Sequence, residues 1–200
     1  MQQFLQHKFL AVLSTCLIFF SAATAQAVEF KGVVGMGYDV GGETLVKITY
    51  TDGSTSEVNA NAGLIFNAGV VMVTGNFETQ ATVGYKFDSS KKATNVNATY
   101  SVVPVELIEF YRTEQLRMGL GISYHTSPTL KIDFPGNAAN GTYKFKDAVG
   151  YVAQIGWAPR GSPFSIDLRH TSVKLVPSNF VGTKNEFSGS VTGLYLSFYF

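Results

Sequence analysis

Residues 115–125 read Gln115-Leu116-Arg117-Met118-Gly119-Leu120-Gly121-Ile122-Ser123-Tyr124-His125. In an extended chain Leu116, Met118, Leu120, Ile122 and Tyr124 fall on one side, and Arg117, Gly119, Gly121, Ser123 and His125 on the other, because successive side chains of a strand point to opposite faces. A helix would scatter both sets around its circumference. One face is continuously apolar. The other mixes glycine with charge, which suits a narrow polar interior better than a hydrophobic core.

The same period of two recurs along the chain. In 149–157, Val149, Tyr151, Ala153, Ile155 and Trp157 oppose Gly150, Val152, Gln154 and Gly156. In 77–87, Phe77, Ala81, Val83, Tyr85 and Phe87 oppose Glu78, Gln80, Thr82, Gly84 and Lys86. In 163–172, Phe164, Ile166 and Leu168 oppose Asp167 and Arg169, and in 188–200 Leu194, Leu196, Phe198 and Phe200 oppose Gly193, Tyr195, Ser197 and Tyr199. Residues 29–38 and 63–73 follow the pattern with Phe30, Val34, Met36, Tyr38 and Leu64, Phe66, Val70, Met72. Residues 98–111 are irregular: Val103, Val105 and Leu107 share a face with Glu109, and Pro104 cannot donate to a ladder. A bulge near Ile108 is expected to reset that register.

Eight such strands of roughly 9–13 residues are long enough to cross a bilayer when tilted. Their connections alternate between short (Gly75-Asn76, Arg112-Thr113-Glu114, Arg160-Gly161-Ser162) and long (39–62, 88–97, 126–147, 173–187). In a membrane barrel the short turns face the periplasm and the long loops the outside. Apolar-face aromatics cluster at both ends: Phe30, Phe77, Trp157, Phe164, Phe198 and Phe200 toward the short turns, and Tyr38, Tyr85, Phe87, Tyr124 and Tyr151 toward the long loops. Two aromatic girdles mark the two interfaces of a membrane. The reading is all-β: a transmembrane antiparallel up-and-down barrel of eight strands. Asp52-Gly53, between Leu45–Tyr50 and Ser56–Val58, predicts a small polar hairpin in the first long loop. The alternative is two further wall strands.

Composition agrees. Charged residues are 14% of the 200, below the roughly 25% of soluble domains, and aromatics also reach 14%, with 16 Phe, 10 Tyr and 20 Gly. Net charge is +1 and no basic run offers a phosphate grip, so no nucleic-acid partner is expected. Residues 1–27 read as a cleaved signal peptide: His7 and Lys8, an apolar core from Phe9 to Phe20, and Ala25-Gln26-Ala27 as an A-x-A site. Leu13-Ser14-Thr15-Cys16 loosely resembles a lipoprotein box, but cleavage there would leave Leu17-Ile18-Phe19-Phe20 on the mature chain. The barrel domain is then 28–200. Without Cys16 it has no disulfide and no thiolate, and no metal or other cofactor is expected.

Leu194-Tyr195-Leu196-Ser197-Phe198-Tyr199-Phe200 resembles the terminal signature of Gram-negative outer-membrane barrels, a final aromatic preceded by apolar residues at alternate positions. That resemblance implies that Phe200, Phe198 and Leu196 are the signal read by the barrel-assembly machinery. Thr82-Val83-Gly84-Tyr85-Lys86-Phe87 and Pro104-Val105-Glu106-Leu107 resemble a subgroup of uncharacterised outer-membrane barrels. It implies a fold and a place, and no activity.

Eight strands enclose an interior that side chains just fill. The lumen face carries Glu78, Lys86, Glu106, Arg117, Asp167 and Arg169, which should pair, since an unpaired buried charge costs several kcal/mol. A plugged barrel is expected, acting as a monomer in contact with outer-membrane lipid and lipopolysaccharide, with its role in the long loops. Leu130, Ile132, Phe134, Tyr143 and Phe145 of loop 126–147 are read as upward extensions of the wall. A second reading is a narrow path for a small apolar or amphipathic solute, favoured by a pocket between loops 39–62 and 126–147. A third rests on His170-Thr171-Ser172, with Glu186 on the same face. Ser, His and a carboxylate can form a nucleophile, a base and an orienting group, and the motif resembles that of the outer-membrane lipid A deacylases, although Val173 stands where those enzymes carry Asn. His125-Thr126-Ser127 has the same spacing, but its His faces the lumen and Pro128 is expected to end the strand.

Overall fold

The computed structural model describes residues 27–50, 52–90, 97–133, 140–179 and 184–200. The expected signal peptide, Ala27 apart, lies outside these residues, as do Cys16 and Phe134. Strand β1 (Val28–Gly41) leads into a hairpin of β2 (Thr44–Thr49) and β3 (Thr55–Asn59). A meander follows: β4 (Gly63–Thr74), β5 (Phe77–Ser89), β6 (Asn97–Arg112) and β7 (Leu116–Asp133). A short β8 (Gly141–Lys144) precedes β9 (Ala148–Trp157) and β10 (Phe164–Ser172). The two-residue strands β11 (Lys174–Leu175) and β12 (Phe187–Ser188) come before the last strand, β13 (Val191–Tyr199).

Eight of these strands form one closed antiparallel wall in the order β1, β4, β5, β6, β7, β9, β10, β13. Closure runs from Val33 opposite Tyr199 to Gly41 opposite Val191. Gly32 and Phe200 extend it by exchanging backbone hydrogen bonds of 2.7 and 3.1 Å. Closure satisfies the row of backbone groups that an open edge would leave bare in hydrocarbon. Where β4 turns into β5 through Gly75-Asn76, the left-handed φ of 60° falls on Gly75 alone, as a type II′ hairpin turn requires. β2 and β3 pair only with each other, outside the wall.

The wall is apolar outside, and inside it mixes charged and polar side chains with a few buried apolar ones such as Ile65, Ile108 and Phe110. On β7, Leu120 is 71% exposed while Arg117 and His125 are 1% exposed. The outward aromatics Phe30, Phe77, Trp157, Phe164, Phe198 and Phe200 lie at the short-turn end, and Tyr38, Tyr85, Tyr124 and Tyr151 toward the loop end. Phe77 and Tyr111 meet edge to face at 5.6 Å in the lower row.

The irregularity in β6 is not where the sequence places it. Around Ile108 the period of two is unbroken: Glu106, Ile108 and Phe110 are buried, and Leu107, Glu109 and Tyr111 face out. The register shifts instead between Ser101 and Val103, opposite β7. The extra residue belongs to β7, where Ser127 takes a φ of 51°. Asp147 pins this bulge, accepting from the Ser127 backbone N–H at 2.8 Å and from the Tyr124 hydroxyl at 3.1 Å. Pro128 therefore does not end β7, which continues to Asp133. Pro104 is accommodated differently, by a gap in the β5–β6 ladder between Val83–Val105 and Lys86–Val102, since it has no N–H to give.

Above the outer aromatics the chain builds a second compact region. The hairpin β2–β3, the tops of β6 and β7, β8 and the β11–β12 pair enclose a hydrophobic core of Ile48, Val58, Ala60, Ala98, Tyr100, Val102, Leu130, Phe145, Val173 and Leu175. The hairpin is thus amphipathic rather than simply polar. Leu130 and Phe145 are buried in this cap instead of prolonging the lipid-facing wall. Phe145 meets Tyr100 and Phe187 edge to face at 6.5 and 6.0 Å.

Candidate functional site

Inward residues of alternating strands converge in a narrow lumen, and their charges pair on three levels. Nearest the short turns, Arg117 of β7 grips Asp167 of β10 with two bonds, Nε to Oδ1 at 2.7 Å and Nη2 to Oδ2 at 2.6 Å. Ser165 Oγ accepts from Arg117 at 2.9 Å and donates to Asp167 at 2.8 Å. Glu78 of β5 pairs with Arg112, whose Nη2 also donates to the Ala158 and Pro159 carbonyls. The Arg117 guanidinium lies 4.3 Å from the centre of the Phe110 ring. Gly119, across the ladder, leaves room for that ring, since a Cβ there would meet it.

One level up, Arg169 forms a fork to Glu106, with Nη1 to Oε2 at 2.9 Å and Nη2 to Oε1. Ser123 donates to the same carboxylate at 2.9 Å, and the guanidinium lies over the Tyr195 ring at 4.7 Å. At the loop end, Lys86 donates to Asp39, which also accepts from the Tyr195 hydroxyl at 2.6 Å. Lys86 further reaches the backbone and side-chain oxygens of Asn61 at 3.2 Å each. Asn61 belongs to the loop between β3 and β4, takes a φ of 60°, and bonds Gly189 O at 3.0 Å. Two loops are thereby stitched across the lumen mouth onto the top ion pair.

The six lumen charges named from sequence all face this interior. The structure brings Arg117 to Asp167 and Arg169 to Glu106, but gives Lys86 and Glu78 other principal partners, Asp39 and Arg112. Neither Asp39 nor Arg112 belongs to the set of lumen charges read from the sequence. Asp39 sits at the end of a glycine-rich stretch, and Arg112 reads as a turn residue. Inward alternation along β1 would have found Asp39. His125 is buried between the upper pairs, and neither of its ring nitrogens meets a described hydrogen-bonding group.

On the outer face at the loop end lies a polar ladder between β10 and β13. His170 Nδ1 is 2.9 Å from Thr192 Oγ1, and Ser172 Oγ is 3.2 Å from Ser190 Oγ. Glu186 is not aimed at His170; its carboxylate holds Lys174 at 2.8 Å and raises the pKa of that ammonium. The three candidate catalytic residues therefore make separate contacts, with no base-to-orienting-acid bond. Loops 39–62 and 126–147 meet through Ile48, Val58, Leu130 and Phe145. Among the described residues no group of three or more His, Cys, Asp or Glu side chains could hold a metal ion.

This arrangement is the fold of the small transmembrane barrels of Gram-negative outer membranes. Ail, the attachment invasion locus protein of Yersinia pestis, in complex with the heparin analogue sucrose octasulfate, matches with a TM-score of 0.55 at 11% identity over 86% of this chain and 99% of its own. A second Ail structure gives 0.52 at the same identity and coverage. Neisserial surface protein A covers 88% of this chain and 100% of its own at 13% identity, with a TM-score of 0.48. No protein-family model and no curated protein sequence matches the chain.

Proposed function

We propose that this chain is a plugged barrel of the Gram-negative outer membrane, exported by a cleaved signal peptide, that presents its loop cap as a surface for anionic saccharide. The observation that carries the reading is the cap itself: loops with a hydrophobic core of their own, seated on a lumen filled by paired charges. Loops meant to clear a channel would not bury Ile48, Val58 and Phe145 across its mouth. The short turns lie in the periplasm, the cap lies outside, and β13 with Phe200 serves the assembly machinery. The barrel acts as a monomer, and its role involves no enzymatic step.

The outer side of the β7–β8 ribbon suggests the partner. Lys131, Lys144 and Lys146 are exposed there, beside Thr129 and Thr142. None of the three lysines forms an ion pair with a described residue. Lys131 and Lys144 stand two rungs apart on the same face of one ladder, so a chain of sulfate, phosphate or carboxylate groups can engage both. Ail, of similar fold, is seen with a sulfated sugar. Lipopolysaccharide carries the same anionic chemistry at the height of this ribbon.

Refolded barrel in a planar bilayer should be electrically silent, and it should bind heparin or lipopolysaccharide in a salt-sensitive manner. Replacing Lys131, Lys144 and Lys146 together by Ala should weaken that binding by roughly tenfold, the size expected of a few exposed charge pairs. Steady openings altered by Arg169→Ala would refute the plug. Unchanged binding by the triple variant would refute the ribbon as the contact surface.

A further inference from the structure

The outward face of the wall contains one residue that a lipid-facing belt does not call for. Glu109 projects outward from β6 between Leu107 and Tyr111 and is exposed. Its cross-strand neighbours are Leu120 on β7 and Thr79 on β5. Among the described residues it is the only acidic side chain on the outer face between the two aromatic rows. Its height is set by Tyr111, which packs on Phe77 in the lower row. Two residues along a strand tilted by about 40° place Glu109 about 5 Å into the hydrocarbon from that row.

A carboxylate in that position is costly unless something offsets its lost hydration. The protein supplies one donor: Thr79 Oγ1 bonds Glu109 Oε2 at 2.6 Å. That bond engages Oε2, and Oε1 has no hydrogen-bond partner among the described residues. Thr79 is itself a lone polar residue in an apolar row, between Phe77 and Ala81. The two residues form a built pair, one acceptor held by one donor.

We infer that Glu109 and Thr79 form a binding site for the primary ammonium of a phospholipid headgroup in the periplasmic leaflet. The inference rests on the membrane reading above. The opposite charge is required by the carboxylate, and the N–H donors by its free lone pairs. A headgroup lies within reach because the site sits next to the interfacial row. A second copy of this chain is a poorer occupant, since the exposed cations at the short-turn end, Lys31 and Arg160, are already paired with Glu29 and Glu114. A quaternary ammonium is the weaker occupant: it carries the charge but has no N–H to donate.

The test is lipid selection by the intact barrel, read by native mass spectrometry. Vesicles would contain equal phosphatidylethanolamine and phosphatidylcholine with identical acyl chains. Wild type should carry roughly fivefold more of the ethanolamine lipid, the magnitude of one exposed charge-assisted pair. Glu109→Gln should bring the ratio close to one while the barrel still shows the heat-dependent gel shift of a folded wall. If that variant fails to fold, the N-methylated series on wild type decides: retention should fall as each N–H is lost. A wild-type ratio near one, or the same preference in Glu109→Gln, overturns the site. So does a cross-linked dimer that Glu109→Gln abolishes, which would make the patch a protein contact. A barrel that fails to enter vesicles at all would instead refute the membrane reading on which the site depends.

Discussion

Strand β6 passes through two interiors of opposite character. At the loop end its inward side chains are Ala98, Tyr100 and Val102, packed with Ile48, Val58, Leu130 and Phe145. Further down the same face it presents Glu106, forked by Arg169 and bonded by Ser123, with Ile108 and Phe110 buried below it against the Arg117 guanidinium and Val152. The backbone is the same, the alternation is unbroken, and what changes is the medium outside. The cap stands in water, so burying apolar area is worth roughly 25 cal/mol per Å² there. The wall below stands in hydrocarbon, where apolar side chains gain little by turning inward and so line the outside. The interior is left to residues that fit by size and pair by charge. Four acids (Asp39, Glu78, Glu106, Asp167) meet four bases (Lys86, Arg112, Arg117, Arg169).

If the two interiors differ in this way, they should fail differently. Asp167→Ala leaves Arg117 buried without its forked partner, which should cost about 3–5 kcal/mol. The loss would appear as a lower urea midpoint for the whole barrel in vesicles. The double change Arg117→Met with Asp167→Leu should recover most of it, because neither charge is then stranded. A double variant as unstable as the single would mean that the pair is valuable in itself, and the lumen would be less replaceable than an apolar core.

Phe145→Ala is the matching change in the cap. Deleting a buried aromatic ring should cost about 3 kcal/mol, and the loss should stay local. Protease cleavage in the loops should rise while the heat-dependent gel shift of the wall persists. Loss of that shift would show that cap and wall fold as one unit, and the contrast between two independent interiors would be wrong.

Legibility in the sequence follows the same divide. The wall could be read because each strand carries its pattern alone: Leu116 to Tyr124 need no knowledge of any other strand. The inward charges could be listed for the same reason. Their partners could not, because Arg117 and Asp167 are fifty residues apart and meet only once the order of strands and their stagger are set. Glu78 illustrates the limit, since Arg112 lies at the last position of β6, where sequence gives a turn. The bulge was misplaced because Glu109 on an apolar face looks like a register error, while the position that needs relief is Ser127, held open by Asp147. The cap was least legible. Its core takes a few side chains from each of several segments, Ile48, Val58, Tyr100, Leu130, Phe145 and Leu175, and no one segment shows a periodicity that announces it.

The smallest effect expected concerns the clasp between the first and last loops. Lys184 pairs with Glu43, whose carboxylate also accepts from the Ser188 backbone N–H at 3.1 Å. The hydrogen bond from Lys184, then the one from Ser188, holds the Glu43 carboxyl below its ordinary pKa. A depressed carboxyl favours the folded arrangement when it is ionised. The clasp is therefore fully present above the ordinary Glu value of about 4.3 and is lost as pH falls through the lower folded-state value. The wall's strand ladders close on one another and do not depend on that clasp. The protection factors of the Ser188 and Gly189 amides, taken against their intrinsic exchange rates at each pH, should fall on acidification below about pH 4 while those in β10 and β13 stay high. Lys184→Met should lower the loop protection factors already at neutral pH and remove most of their pH dependence. An equal fall in wall and loop would show that acid opens the molecule from its ion-paired interior, and the cap would then be the more robust of the two.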